Sequence, residues 1–190
     1  MNLEVCKSSP TRWLTAEEFF LLPSNGQRAE LVRGESVPCE ISGFRHGALC
    51  CGLLRAVTNY LVFHDIARVV PRVGIITHRN PDTVRGPEVS VLSYDRLPRT
   101  SCPIGYLDVP PEAVFEVLDP TDRPENVLDR VAEFLAASVL YVIVVDPDRE
   151  TVVVHRADRS QSLLLKGQSL TLPELLPGFE LPLDRLFPGQ

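Results

Sequence analysis

Two glutamates stand where a hydrophobic strand would bury them. In Glu112-Ala113-Val114-Phe115-Glu116-Val117-Leu118, side chains alternate across a strand, so Ala113, Phe115 and Val117 face one way while Val114, Glu116 and Leu118 face the other. Glu116 therefore sits among apolar neighbours, where an ionised carboxylate needs a cation, a metal or a hydrogen-bond donor beside it. Glu88 repeats the pattern at the head of Glu88-Val89-Ser90-Val91-Leu92. If the two strands are neighbours, this pair makes an oxygen-rich site suited to Mg²⁺, of the kind that activates water against a phosphodiester. The plainer reading has Glu88 capping a turn and Glu116 in an ordinary salt bridge, since ion-pair networks also perturb carboxylates.

Other chemistries lack their signatures. Gly43, Gly47 and Gly52 do not follow a strand into a phosphate-cradling loop. His64 and His78 have no partners at metal-ligand spacing, and no Gly-x-Ser-x-Gly elbow offers a nucleophilic serine. The five cysteines, Cys6, Cys39, Cys50, Cys51 and Cys102, include no C-x-x-C pair and no histidine at zinc-finger spacing, as suits a reduced intracellular protein. Trp13 and Phe44 read as packing residues rather than a stacking platform for bases.

At 190 residues and 44% hydrophobic composition, the chain suits one domain, residues 1–190, with a substantial core. A net charge of -6 denies it the general basic field of a protein that grips nucleic acid through phosphates alone. It does not exclude a metal-dependent nuclease, whose ligands are acidic and whose phosphate contacts are local. Lys7 and Lys166 are the only lysines, so arginine carries nearly all the positive charge. The N-terminal residues contain no apolar signal segment, and the longest apolar run, residues 139–145, is far shorter than the ~20 residues of a membrane span. A cytoplasmic protein with no membrane partner is expected.

The elements that must position the two glutamates follow from periodicity. Thr15-Ala16-Glu17-Glu18 is a capping box opening a short helix. Residues 28–38 read as two strands turning at Arg33-Gly34, with Glu30 on the first. Residues 46–64 keep a helical spacing of apolar positions and form the longest helix. Residues 68–77, with Pro71 at an edge or bulge, residues 88–92 and residues 112–118 then read as strands of one curved sheet. Asp122-Arg123-Pro124-Glu125 starts another helix with Asp122 as cap and a core stripe of Val127, Leu128, Val131, Phe134 and Leu135. Residues 140–145 are apolar on both faces, as a central strand is, and Asp146-Pro147-Asp148 turns the chain into residues 151–156. Short strands near residues 163–166 and 169–172 and a proline-punctuated tail follow.

This order of segments resembles the Uma-two family of the PD-(D/E)XK nuclease superfamily. The pieces that carry the resemblance are Leu14-Thr15-Ala16-Glu17-Glu18-Phe19, Glu30-Leu31-Val32-Arg33-Gly34-Glu35, Gly43-Phe44-Arg45-His46-Gly47, residues 116–122 and Val145-Asp146-Pro147. They occur in family order between about residues 14 and 187. The resemblance implies an α/β (α+β) fold with a restriction-endonuclease-like core: a mixed curved sheet flanked by helices, preceded by an N-terminal helix and β-hairpin. It also implies a metal site built from the aspartate of a Pro-Asp pair, the glutamate of the next strand, a lysine on the following helix and a glutamate from the hairpin. Carried over, these catalytic positions are Glu88, Glu116, Arg130 and Glu30, with Glu88 and Glu116 as the ligands of Mg²⁺ or Mn²⁺. His46 matches a histidine of the family pattern without an assigned role.

Two positions depart from that pattern. Glu88 stands in place of aspartate, moving the carboxylate by roughly 1.5 Å, whereas metal–ligand distances tolerate about 0.2 Å. Arg130 stands in place of lysine; it keeps the charge and can clamp a phosphate, but it is bulkier and cannot act as a base. Neither Lys7 nor Lys166 is near the motif. The plain reading of Arg130 is a solvated or salt-bridged helix arginine. Two functions are therefore expected to compete: a Mg²⁺-dependent endonuclease hydrolysing phosphodiester bonds of DNA at an altered site, and a catalytically silent homologue serving as a binding or assembly subunit. A homodimer is expected on either account.

Overall fold

The computed structural model of the chain describes residues 12–23 and 26–187. The strand bearing Glu116, β7 (Ala113–Val117), pairs in parallel with β8 (Tyr141–Asp146), in register from Ala113↔Tyr141 to Val117↔Val145. A parallel pair requires a long crossover, and here the crossover holds helix α3 (Pro124–Ala136). Beyond β8 lie β9 (Thr151–Arg156) and β10 (Gln161–Leu164); beyond β7 lie β6 (Val89–Ser93) and β3 (Ala67–Pro71). The order β10-β9-β8-β7-β6-β3 is antiparallel throughout except at β7–β8. This is the mixed, helix-flanked sheet expected from the sequence.

Both faces of the central strands are covered, which is why their sequences read as nearly continuous apolar runs. On one face Phe115, Ile143 and Val145 pack with Leu49, Leu53 and Val57 of α2 (Phe44–Phe63). The antiparallel pair β11 (Ser169–Leu172) and β12 (Leu176–Pro182), with α4 (Leu183–Leu186), adds Leu170, Phe179 and Leu186 to that layer. On the other face Val114, Val142 and Val144 pack with Val131 and Phe134 of α3. Each fully buried aliphatic or phenyl side chain here contributes about 1.5–3 kcal/mol.

A second sheet, ordered β2-β1-β5-β4, consists of β1 (Ala29–Val32), β2 (Glu35–Pro38), β4 (Ile75–His78) and β5 (Thr83–Arg85). Helix α1 (Ala16–Phe20) begins at the expected capping box: Glu18 N donates to Thr15 Oγ1 at 3.1 Å and Thr15 N to Glu18 Oε2 at 3.0 Å. Asp82 anchors that helix from afar, accepting from Ala16 N at 2.8 Å. Among the described residues, no helix is long and apolar enough to cross a membrane.

The structure departs from the sequence expectation in five places. The run 68–77 breaks after Pro71, because Arg72 adopts a left-handed φ of 49°; β3 remains the sheet edge while β4 joins the second sheet. Strand β5, three residues long, is too short to show alternation. Asp122 does not cap α3: Arg123 is the N-cap, and the Asp122 carboxylate turns back to accept from Asp119 N and from Arg130. Leu128 is 59% exposed, so the α3 core stripe is narrower than the five positions expected, and Phe44 is exposed rather than packed.

The β1–β2 hairpin turns at Arg33 (φ 51°) and Gly34 (φ 81°), the pair of positive values that a two-residue turn of this hand demands. A Cβ on Gly34 would lie 2.4 Å from Trp13 Cβ. Gly34→Ala is therefore expected to destabilise the protein by about 1–3 kcal/mol through backbone strain and collision, read as a fall in Tm of about 2–4 °C per kcal/mol. Arg33→Gly, at the neighbouring turn position, should leave Tm nearly unchanged; equal losses in the two variants would refute this account.

Candidate functional site

The carboxyl end of β7 opens into a cavity of about 790 Å³ whose lining includes Glu30, Arg72, Arg85, Glu88, Glu116 and Arg130. The four positions singled out in the sequence thus come from four elements to one cavity: Glu30 from β1, Glu88 from the residue before β6, Glu116 from β7 and Arg130 from α3. Alternation puts Glu116 on the same face as Val114, under α3. Arg130 reaches it from above, with Nε 3.5 Å from Glu116 Oε2. That Nε is buried and makes no hydrogen bond, while Nη2 donates to Asp122 Oδ1 at 3.0 Å.

Glu88 arrives beside β7 because its N–H donates to Phe115 O at 3.0 Å and the next residue is in register with Phe115. Its Oε2 accepts from Arg72 Nε at 2.7 Å, and its Oε1 lies 3.6 Å from His46 Nε2. Glu30 is held at both oxygens, by Arg85 Nη1 at 2.8 Å and by Gly86 N at 2.8 Å. Arg85 continues to α3, gripping Glu133 through Nε at 2.6 Å and Nη2 at 2.9 Å in a two-pronged pair. Five carboxylates, Glu30, Glu88, Glu116, Asp122 and Glu133, thus share three guanidiniums, those of Arg72, Arg85 and Arg130.

The shortage of cations is felt at Glu116. Burial pushes its carboxyl up from the ordinary value of 4.5 to about 8; Arg130 opposes this, and the charges of Glu30, Glu88 and Asp122 add to it. The Cys50 thiol is also held above its usual range, by burial and then by Glu88.

Several cavity residues escaped the sequence reading. Arg72 had no signal, since its pairing depends on a backbone break. Glu133 lies three residues after Arg130 on the same helical face, a spacing that hinted at shared surroundings, whereas the pairing of Arg85 with Glu30 and Glu133 had no local signal. His46 and Cys50 are one helical turn apart on α2, and with Glu88 they form the one group of three metal-ligand side chains among the described residues whose ligand atoms lie within 4.8 Å of one another. The available signal for Cys50 was its i, i+4 spacing from His46 on one helix.

A family model described as "Uma2: Putative restriction endonuclease" matches residues 16–184. No curated protein matches the chain. Among solved structures, the chain is similar to one described as the crystal structure of "a putative nuclease belonging to DUF820 from Anabaena variabilis ATCC 29413", with a TM-score of 0.79 and 21% identity, covering 92% of this chain and 97% of the other. Likeness at that identity speaks for the fold.

The raised Glu116 couples stability to pH. Between about pH 4.5 and 8 the folded protein retains a proton that the unfolded chain has released, so stability falls as pH rises through this window and is flat for this group on either side. In metal-free buffer, Glu116→Gln should remove that slope and raise Tm by several degrees at pH 8 but little at pH 4.5. Parallel Tm–pH curves for the two proteins would show that Glu116 is ionised at ordinary pH.

Proposed function

The chain belongs to the Uma2 family, and from that membership we propose that it is a divalent-cation-dependent endonuclease hydrolysing phosphodiester bonds of DNA. The observation that carries the reading is Glu116. Its carboxylate, with the side chain 13% exposed, faces a cavity, receives no hydrogen bond among the described residues, and has Arg130 Nε at 3.5 Å as its guanidinium contact. The residues fit a Mg²⁺-class ion: the ligands are hard oxygens, carboxylates outnumber guanidiniums, and a second cation is what the raised Glu116 lacks.

Glu88 and Glu116 are the residues that would hold the ion, which when bound supplies charge neutralisation at a phosphate and a more acidic water. Arg130 stands over the same site with a fixed positive charge; it stabilises charge developing on the scissile phosphate and, being always protonated, takes no part as a base. Glu30 works indirectly, as the fixed acceptor that keeps Arg85 clamped to Glu133 and so keeps α3 over the cavity. Arg28 and Arg33, exposed on the hairpin and lining the cavity, supply local positive charge for a backbone despite the net charge of -6. A two-fold homodimer would present two such cavities to a duplex.

One observation favours a second reading, a catalytically silent homologue acting as a binding or assembly subunit. Glu88 is already paired to Arg72 and Glu30 to Arg85, so much of the acidic cluster is internally neutralised.

Cleavage of linear and supercoiled DNA in Mg²⁺ and in Mn²⁺ separates the two. The natural protein is expected to cleave, and Glu116→Ala to lose about 100-fold or more, the scale of losing a group that stabilises transition-state charge. Retained cleavage in Glu116→Ala would overturn the site. Silence in the natural protein with activity in the double variant Glu88→Asp plus Arg130→Lys would identify a scaffold disabled by those two side chains, and silence in all three would favour the binding role.

A further inference from the structure

His46 and Cys50 take no part in the chemistry above, yet with Glu88 they meet in one place. Their ligand atoms lie within 4.8 Å of one another. His46 and Cys50 share a face of α2, four residues apart, and Glu88 enters from the strand end opposite. His46 is 6% exposed, and its Nε2 is 3.0 Å from Val117 O. A carbonyl oxygen only accepts, so Nε2 is the donor to Val117 O and Nδ1 is the nitrogen left to present a lone pair to a cation. That Nδ1 is 3.5 Å from Cys50 Sγ, which is in turn 3.5 Å from Glu88 Oε2.

These spacings have a chemical meaning. Zinc bonds sulfur at ~2.3 Å and imidazole or carboxylate at ~2.0–2.1 Å, so two ligands at tetrahedral angles stand about 3.5 Å apart. A backbone carbonyl on the far ring nitrogen is also how metal-binding imidazoles are commonly oriented. Arg72 shares Glu88 Oε2 at 2.7 Å, but a carboxylate oxygen with two lone pairs can accept from Arg72 and ligate a cation together.

We propose that His46 Nδ1, Cys50 Sγ and Glu88 Oε2 form a site for a borderline-soft divalent cation of the Zn²⁺ class. Imidazole and thiolate select such an ion over Mg²⁺, so the site differs in kind from the all-oxygen pair Glu88 and Glu116. Three protein ligands leave a fourth position for water or a ligand from the cavity that His46 and Glu88 line. The Cys50 proton passes to solvent as the thiolate bonds the cation. The proposal does not rest on the nuclease reading.

Titration of the full chain with Co²⁺, followed optically, and with Zn²⁺, followed by calorimetry, tests it. One cation per chain is expected, with a thiolate-to-cobalt charge-transfer absorption that excess Mg²⁺ does not remove. Cys50→Ser should abolish that absorption and weaken Zn²⁺ by more than the about 10–100-fold that loss of an outer hydrogen-bonding partner costs. Cys39→Ser and Cys51→Ser should retain both. Absence of the absorption in the natural protein, or its persistence in Cys50→Ser, overturns the site. A measurement free of variants is alkylation read by mass spectrometry: Zn²⁺ should protect Cys50, and unchanged labelling would overturn the proposal equally. The readouts here are absorption, Zn²⁺ affinity and alkylation, none of which involves DNA, so failure here and failure of the nuclease reading are distinguishable.

Discussion

The parallel pairing of β7 with β8 is the constraint from which the cavity follows. Parallel neighbours cannot be joined by a tight turn, so the chain leaves β7 at Val117 and returns to β8 through α3. The apolar stripe of that helix, Val131 and Phe134, must lie on the Val114 and Val144 face. Glu116 projects from the same face, so the packing that buries α3 also carries Arg130 over the carboxylate.

Arg85 has a corresponding role between the second sheet and α3. It sits at the end of β5, donates to the Glu30 carboxylate of β1 on one side and to the Glu133 carboxylate of α3 on the other, and is only 11% exposed at its side chain. Burial works against its charge, and Glu133 and Glu30 more than restore it. A planar guanidinium can satisfy both carboxylates at once, whereas an ammonium offers no matching fork. The hairpin that carries Glu30 is thereby tied to the helix that carries Arg130 by charge-assisted hydrogen bonds.

Glu88 stands where two kinds of side chain meet. Toward β7 are the oxygens of Glu116; toward α2 are the nitrogen of His46 and the sulfur of Cys50. Aspartate at this position would draw the carboxylate back by roughly 1.5 Å, away from Arg72 and Cys50. The extra methylene of Glu88 is therefore what lets the carboxylate reach those partners.

Local features of the protein were legible in its sequence because they are short-range. The capping box at Thr15 and Glu18, the turn at Arg33 and Gly34, the long helix α2 and the doubly covered β7 and β8 each follow from propensities and periods spanning a few residues. The alternation in 112–118 also placed Glu116 on the face it occupies. Which charges meet was decided only by tertiary structure. Glu30 and Arg85 are 55 residues apart, His46 and Val117 are 71 apart, and Arg72 reaches Glu88 through a left-handed backbone step that its sequence does not announce. A buried charge constrains only that a partner exist; the partner's identity depends on which distant strand or helix the apolar packing brings beside it.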